Sequence, residues 1–165
     1  MAREVASPNA FQKLLHRFLM IRAVTAFFAP RIHHLDKAVL KLTGGKFTVA
    51  EILGWNIIQI TTTGAKTNQP RTMPLVGVFD DEKIALIASS FGREHNPGWY
   101  YNLKAHSECE VFLKGKTKKY IARELAGEEY AHYWQLAVSL YEGYEKYKER
   151  TAPRHIPVML LEPKK

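Results

Sequence analysis

The chain has 165 residues, 46% of them hydrophobic and 24% charged, with a formal net charge of +8. That length suits a single domain able to build its own core, and the mix excludes a wholly disordered or collagen-like chain. Cys109 is the sole cysteine, so an intrachain disulfide framework is excluded and a reducing compartment is expected.

The charge is uneven. Residues 1–46 hold eight Lys or Arg and two Asp or Glu, so this segment carries +6 of the total. Two readings stand side by side for it: attraction to an anionic surface, or a solvated face on a helix that packs on the domain. No uninterrupted apolar run reaches the roughly 18 residues a membrane span needs, and no signal peptide is expected at the N-terminus.

In chain order, Ser7 and Pro8 are expected to open a helix, with Ser7 as its cap and Pro8 at its first position. Phe11, Leu14, Leu15, Phe18 and Leu19 follow the spacing of an amphipathic helix, which Pro30 ends. A second short helix is expected from about Ile32 to Leu42, stopped by Gly44 and Gly45. From residue 55 the pattern turns to strands. Trp55 to Thr63 reads as the first, Arg71 to Phe79 as the second and Lys83 to Ser89 as the third. Residues 71–89 then form a hairpin around Asp80 to Glu82, and Pro74 requires an edge or a bulge. Asn96-Pro97 opens a short helix. Glu108 to Lys114 and Lys118 to Leu125 pair around Gly115, and Gly127 to about Tyr147 is helical with a break near Gly143. Ile156 to Leu161 is the last strand. Antiparallel hairpins decorated by helices give an α+β fold, a small barrel or curved sheet, and argue against a doubly wound parallel sheet.

Several chemistries have no sequence support. There is no G-x-G-x-x-G, no complete phosphate-loop motif and no G-x-S-x-G elbow. The seven histidines show no metal spacing, so no metal site is expected.

Three constellations remain. Thr61 to Leu75 sets hydroxyls, a glycine turn, Lys66, Thr67 and Arg71 close together, which is either an anion cradle or a solvated loop. Ala88 to Asn102 carries a strand end through a glycine turn into a helix start, with Trp99 and two tyrosines as pocket or core. Tyr141, Tyr144 and Tyr147 recur at three-residue intervals, an aromatic wall that lines a flat-ring pocket or packs on the barrel.

In order, T-T-T-G-x-K-T-x-Q-P-R at 61–71, N-P-x-W-Y-x-N-L at 96–103, Tyr133-Trp134 with Leu136 and the three tyrosines, and I-P-V at 156–158 with Glu162-Pro163 make a combined pattern. Over about Ile60 to Pro163 the chain resembles the deazaflavin-dependent nitroreductases, a branch of the F420-binding split β-barrel oxidoreductases. The resemblance implies a split β-barrel over residues 47–165, preceded by a basic amphipathic helical segment over 1–46, within one compact unit. It implies noncovalent coenzyme F420, and a hydride passed from the reduced deazaflavin to a quinone-like or nitro acceptor. The implied cofactor residues are Lys66, Thr67, Arg71, Met73, Pro74, Val76, Ser90, Pro97, Trp99, Asn102 and Tyr147, with Tyr144, Tyr141 and Ser90 as catalytic groups. Ala65, Phe91 and Val76 depart from the residues of relatives and bear on cofactor contacts and substrate choice. FMN in place of F420, or a carrier that binds F420 without turnover, are the alternatives. The expected partners are a small hydride acceptor and an anionic membrane surface met through residues 8–42, with no nucleic acid. The chain is expected as a monomer or homodimer in the cytoplasm, peripheral on the inner face of the cell membrane.

Overall fold

The computed structural model describes residues 9–19, 42, 54–113 and 115–164. Helix α1 (Ala10–Leu19) is followed by strands β1 (Ile57–Thr63), β2 (Pro70–Val76), β3 (Val78–Asp80) and β4 (Lys83–Ile87). Then come α2 (Gly98–Ala105), β5 (Glu108–Leu113), β6 (Lys116–Glu124), α3 (Gly127–Leu140), α4 (Gly143–Thr151) and β7 (Val158–Pro163). The seven strands form one sheet in the order β2-β1-β5-β6-β7-β4-β3, and every pairing is antiparallel.

The two edges of that sheet, β2 and β3, are joined by Gly77 alone. In a flat sheet, six strand spacings of about 4.8 Å would separate them by about 29 Å. One residue cannot span that distance, so the sheet must curl until its edges meet at Gly77. Gly77 fixes the seam by donating its N–H to the Asn56 carbonyl at 2.9 Å. The expected barrel is therefore present, but the expected 71–89 hairpin is not. Within 71–89 it is β3 and β4 that pair, while β2 lies along β1, with Ile57 opposite Val76 and Thr63 opposite Pro70. The long second strand breaks at Gly77 because its two halves serve opposite edges.

The curl divides the core in two. Ile58, Ile60, Ile84, Leu86, Val111, Tyr120, Met159 and Leu161 fill the barrel interior with Trp99 and Leu103 of α2. Ala85, Ile87, Val158 and Leu160, alternate residues of β4 and β7, face outward and are covered by Tyr133, Trp134, Ala137 and Leu140 of α3 and by α4. These two strands are buried on both faces, which is why they read as continuous apolar runs. Polar tips of the covering aromatics find partners: Tyr133 donates to Asp80, Tyr130 to the Ile156 carbonyl, and Trp134 to Glu145. Arg123 grips Glu129 through two hydrogen bonds and Glu162 through Nε, tying the start of α3 to β6 and β7. Glu162 of the sequence pattern is thereby a structural anchor.

The N-terminal expectations divide. Ser7, Pro8 and the 32–42 helix lie outside the described residues, Leu42 apart. Helix α1 is capped by Asn9, whose carboxamide accepts from the Gln12 N–H while Gln12 accepts from the Asn9 N–H, each at 2.9 Å. This capping box stands at the start of the described helix. Phe11 and Leu14 of the expected apolar stripe are exposed, and among the described side chains of α1 His16 is the buried one.

A Cβ at position 77 would stand 3.0 Å from Ile84 Cγ2 and 3.0 Å from Phe79 Cε2. Gly77→Ala therefore strains the seam and lowers stability by about 1–3 kcal/mol. Urea unfolding checks this through a lower midpoint.

Candidate functional site

Strand β2 is where the site begins. Pro70 and Pro74 have no N–H, so their positions cannot exchange paired bonds with β1. The bonds of Gly77 to Asn56 and of Gly64 to Gln69 set the same parity at either end of the ladder. Residues 71, 73 and 75 thus turn their backbone groups to β1. Positions 70, 72, 74 and 76 turn theirs to the free edge. Pro74 stands at an edge, as the sequence required.

At one end of this edge lies the loop 64–69. It is closed by Gly64 N–H to the Gln69 carbonyl and by Asn68 N–H to the Gly64 carbonyl, each 2.9 Å. A Cβ on Gly64 would meet Thr67 Oγ1 at 2.6 Å and the Gln69 carbonyl at 3.2 Å, so glycine spares the loop a close contact. Asn102 of α2 holds the loop from outside its own sequence. Its Oδ1 accepts from the Ala65 N–H and its Nδ2 donates to Thr62 Oγ1, both at 3.0 Å. Lys66, Thr67 and Arg71 are exposed around this loop. Six other cations, including Lys83, Lys104 and Arg123, sit in ion pairs, whereas Lys66 and Arg71 have no carboxylate partner among the described residues. The loop thus carries what an anion cradle requires, hydroxyls and two cations with no carboxylate partner among the described residues.

At the other end lies an aromatic cluster. Val76 and Trp55 pack against the group that contains Tyr141, Tyr144 and Tyr147. From Arg71 to Val76 is five strand residues, about 17 Å. Tyr144 and Tyr147 project from α4, but Tyr141 does not share their helix. It occupies the break after α3 with extended backbone at φ −151°. The rings still meet, with centroids 5.6 Å (141 to 144), 6.1 Å (141 to 147) and 6.2 Å (144 to 147) apart. Gly143 makes this possible, because a Cβ there would fall on the tip of the Tyr141 ring. Two residues the sequence reading did not select complete the cluster. His16 of α1 stacks on Trp55 at 5.5 Å and meets the edge of Tyr141 at 5.2 Å. Trp55 Nε1 is buried with no hydrogen-bond partner among the described residues.

All three tyrosines are at most 7% exposed. Burial pushes each phenol above its ordinary value of 10.0. Tyr141 donates a hydrogen bond to Tyr147, and that bond together with the Arg150 charge offsets part of the rise at Tyr147. Arg150 lies 5.8 Å from the Tyr147 ring centroid. All three stay protonated at neutral pH.

The remaining expected residues fall as follows. Met73 turns into the barrel side with Leu75, opposite to Pro74 and Val76, so the three do not share a face. Trp99 is buried in the barrel. Pro97 caps α2 in extended backbone. Ser90 is half-buried, at the start of a tight turn over residues 90–92. Arg154, also not selected from sequence, holds that turn. Its guanidinium donates to the carbonyls of Ser89 and Arg93 at 3.0 Å each, to Asn96 Oδ1, and to the Ala88 carbonyl at 3.4 Å. Among the described residues no group of three or more His, Cys, Asp or Glu could hold a metal.

Comparison with known proteins places the chain. The profile of the F420H(2)-dependent quinone reductases matches residues 32–163. The chain belongs to that family. A quinone reductase of this kind from Mycobacterium tuberculosis is 38% identical over 103 residues, 61% of this chain and 68% of that protein. A solved F420-H2 dependent reductase is 41% identical, with a TM-score of 0.60, over 65% of this chain and 94% of the other. A second solved structure, a domain-swapped dimer, is 35% identical with a TM-score of 0.61, over 81% of this chain and 98% of the other. Family membership supports the expected split barrel, the oxidoreductase class and F420 as cofactor. The site fits that group: uncommitted cations suit a tail of phosphate and carboxylates, and a free strand edge ending at an aromatic cluster suits a flat ring.

The raised phenols make an alkaline prediction. Unfolded tyrosines lose their protons near pH 10, while Tyr141, Tyr144 and Tyr147 keep theirs in the fold, as does Tyr133 on α3. Their contribution to stability is therefore complete below about pH 10 and is lost as pH rises beyond it. A pH titration followed by phenolate absorbance and circular dichroism is expected to show these phenolates only together with unfolding.

Proposed function

We propose that this chain reduces a quinone-like acceptor with F420H2, and that the cofactor lies along the free edge of β2. One observation carries the reading. A single exposed strand edge runs from two uncommitted cations, Lys66 and Arg71, to a buried tyrosine cluster. When bound, reduced F420 supplies the hydride. The chain's own residues do the rest. Lys66, Thr67 and Arg71 hold the anionic tail. Asn102 keeps their loop in shape through Ala65 and Thr62. The backbone groups of Thr72, Pro74 and Val76 face the ring from the edge, with Met73 bracing the strand from the barrel side. Pro97 and Trp99 fix the start of α2 beside the Ser90 turn. The tyrosines exclude water and supply a proton to the oxygen that gains charge. Within the catalytic group Tyr144, Tyr141 and Ser90, Tyr141 acts through Tyr147, whose hydroxyl proton is the one available to the acceptor. A nitro compound is a second acceptor with the same requirement for a flat, electron-poor group.

The test is a tryptophan-fluorescence titration with F420 and FMN, followed by steady-state reduction of menadione. Saturable quenching by F420 and not by FMN is expected. Arg71→Ala and Lys66→Ala each weaken binding by about 2–5-fold, less as salt is added. Tyr147→Phe keeps binding and lowers kcat by about 100-fold. Binding without turnover in the parent protein would make this a carrier, and quenching by FMN alone would change the cofactor.

Attachment to an anionic membrane surface in the cytoplasm is the accompanying reading. It is supported by the +6 charge of residues 1–46 and by exposed Phe11 and Leu14 on α1. No helix among the described residues is long and apolar enough to cross a membrane. Pelleting with phosphatidylglycerol vesicles at low salt is expected for the full chain, and Phe11→Ser with Leu14→Ser is expected to reduce it by about half or more. Equal pelleting of both proteins would remove the apolar face from the attachment.

A further inference from the structure

The turn after β4 holds a residue that its backbone disfavours. Ser90, Phe91 and Gly92 all have positive φ, at 51°, 56° and 75°. Phe91 has ψ 30°, which is the left-handed helical region. Glycine enters that region freely and Asn or Asp at modest cost, but a bulky side chain is an outlier there. The phenyl ring does not compensate by burial, since Phe91 is 55% exposed. Folding alone would favour a glycine at position 91.

The surrounding structure nonetheless forces the turn. Arg154 binds carbonyls on both sides of it, Ser89 before and Arg93 after. On its inner side the backbone of Gly92 is pressed against α4, where a Cβ would meet Tyr147 Cδ1 at 3.3 Å and Arg150 Cδ at 3.4 Å. A strained residue persists when its neighbours over-determine it, and such residues gather at functional sites. The strain here aims one ring. Phe91 stands edge-to-face with Tyr147, centroids 6.5 Å apart and planes at 77°. Tyr141, Tyr144 and Tyr147 are buried and Trp55 is half-buried, whereas the Phe91 ring against Tyr147 is exposed.

We propose that Phe91 determines acceptor specificity: its exposed ring stacks on the flat ring of an aromatic acceptor and guides it to Tyr147. The inference rests on the proposed function of this site. It selects for acceptors with extended aromatic faces, such as naphthoquinones, over a single small ring.

The experiment compares Phe91→Tyr, Phe91→Ala and Phe91→Gly with the parent protein. It reads melting temperature, F420 dissociation constant, and KM and kcat for menadione and for benzoquinone. Loss of one ring contact is expected to raise KM for menadione about 3–10-fold in the Ala and Gly variants. The KM for benzoquinone should change less than twofold, the F420 dissociation constant reads any change in cofactor contacts separately, and the Tyr variant should retain the parental KM. Phe91→Gly is expected to melt above Phe91→Ala, because it removes the ring and the strain together. A rise in KM with no fall in melting temperature separates recognition from a structural role. Unchanged menadione KM in both Ala and Gly variants, or a KM that follows melting temperature across the series, overturns the proposal while leaving the site intact. Failure of the parent protein to reduce either quinone overturns the reading of the site itself, and the specificity proposal with it.

Discussion

The fold depends on one closure. A single extended run, residues 70–80, supplies both edges of a seven-stranded sheet, and the crossing is made in one residue, Gly77. Ile84 and Phe79 crowd the place of its missing side chain. Once the edges are pinned there, the sheet must curl, and its two faces become an inside and an outside. The inside is filled by aliphatic and aromatic side chains, with Trp99 reaching in from α2. The outside of β4 and β7 needs a second cover, which α3 and α4 provide. The tyrosine cluster belongs to that second cover, so it stands beside the seam because the closure leaves β4 and β7 apolar on both faces.

The same closure leaves β2 with a free edge. Edge strands are usually blunted against pairing with other chains, and Pro70 and Pro74 do that here by removing donors. Blunting by proline does not remove the carbonyls, nor the N–H groups of Thr72 and Val76. The edge is poor at adding another strand yet able to receive a ligand with mixed hydrogen-bonding needs. The 64–69 loop extends it with positive charge, and Asn102 couples that loop to α2 through two bonds from one side chain. An extended ligand with an anionic tail and a flat head matches this sequence of surfaces better than a compact one.

Local grammar was enough to read the strands and most of the turns. Pro74 announced an edge, Asp80 to Glu82 a turn, and Gly115 a hairpin, because each constrains the backbone within a few residues. The helix break near Gly143 was also legible, although its reason was not: Gly143 leaves room for the ring of Tyr141, two residues earlier. Partner choice was less accessible. An alternating strand at 71–79 can pair with the strand before it or the strand after it, and nothing local decides. Here each half took a different partner. Site residues followed the same division. Lys66, Thr67, Arg71 and Asn102 were visible as neighbours in short motifs. Arg154, Trp55 and His16 were not, since each acts on residues distant in sequence: Arg154 on 88–96, Trp55 and His16 on Tyr141. An arginine or a tryptophan carries no mark of a role that exists only after folding.

The buried phenols and the strained turn at residue 91 are two sides of one arrangement. A phenol useful as a proton donor to a developing oxyanion must be kept neutral and dry, and burial among Trp55, Trp134 and its fellow tyrosines does that. The same burial hides it from an acceptor. Something must therefore carry recognition outward from Tyr147 to the surface without letting water in. Arg154 and Gly92 hold an aromatic ring in that position, at a backbone conformation that stability alone would not select. On the proposed reading, proton supply sits in the covered layer and acceptor contact on the turn above it. On that reading, changes at residue 91 alter acceptor choice while the phenols beneath keep their chemistry.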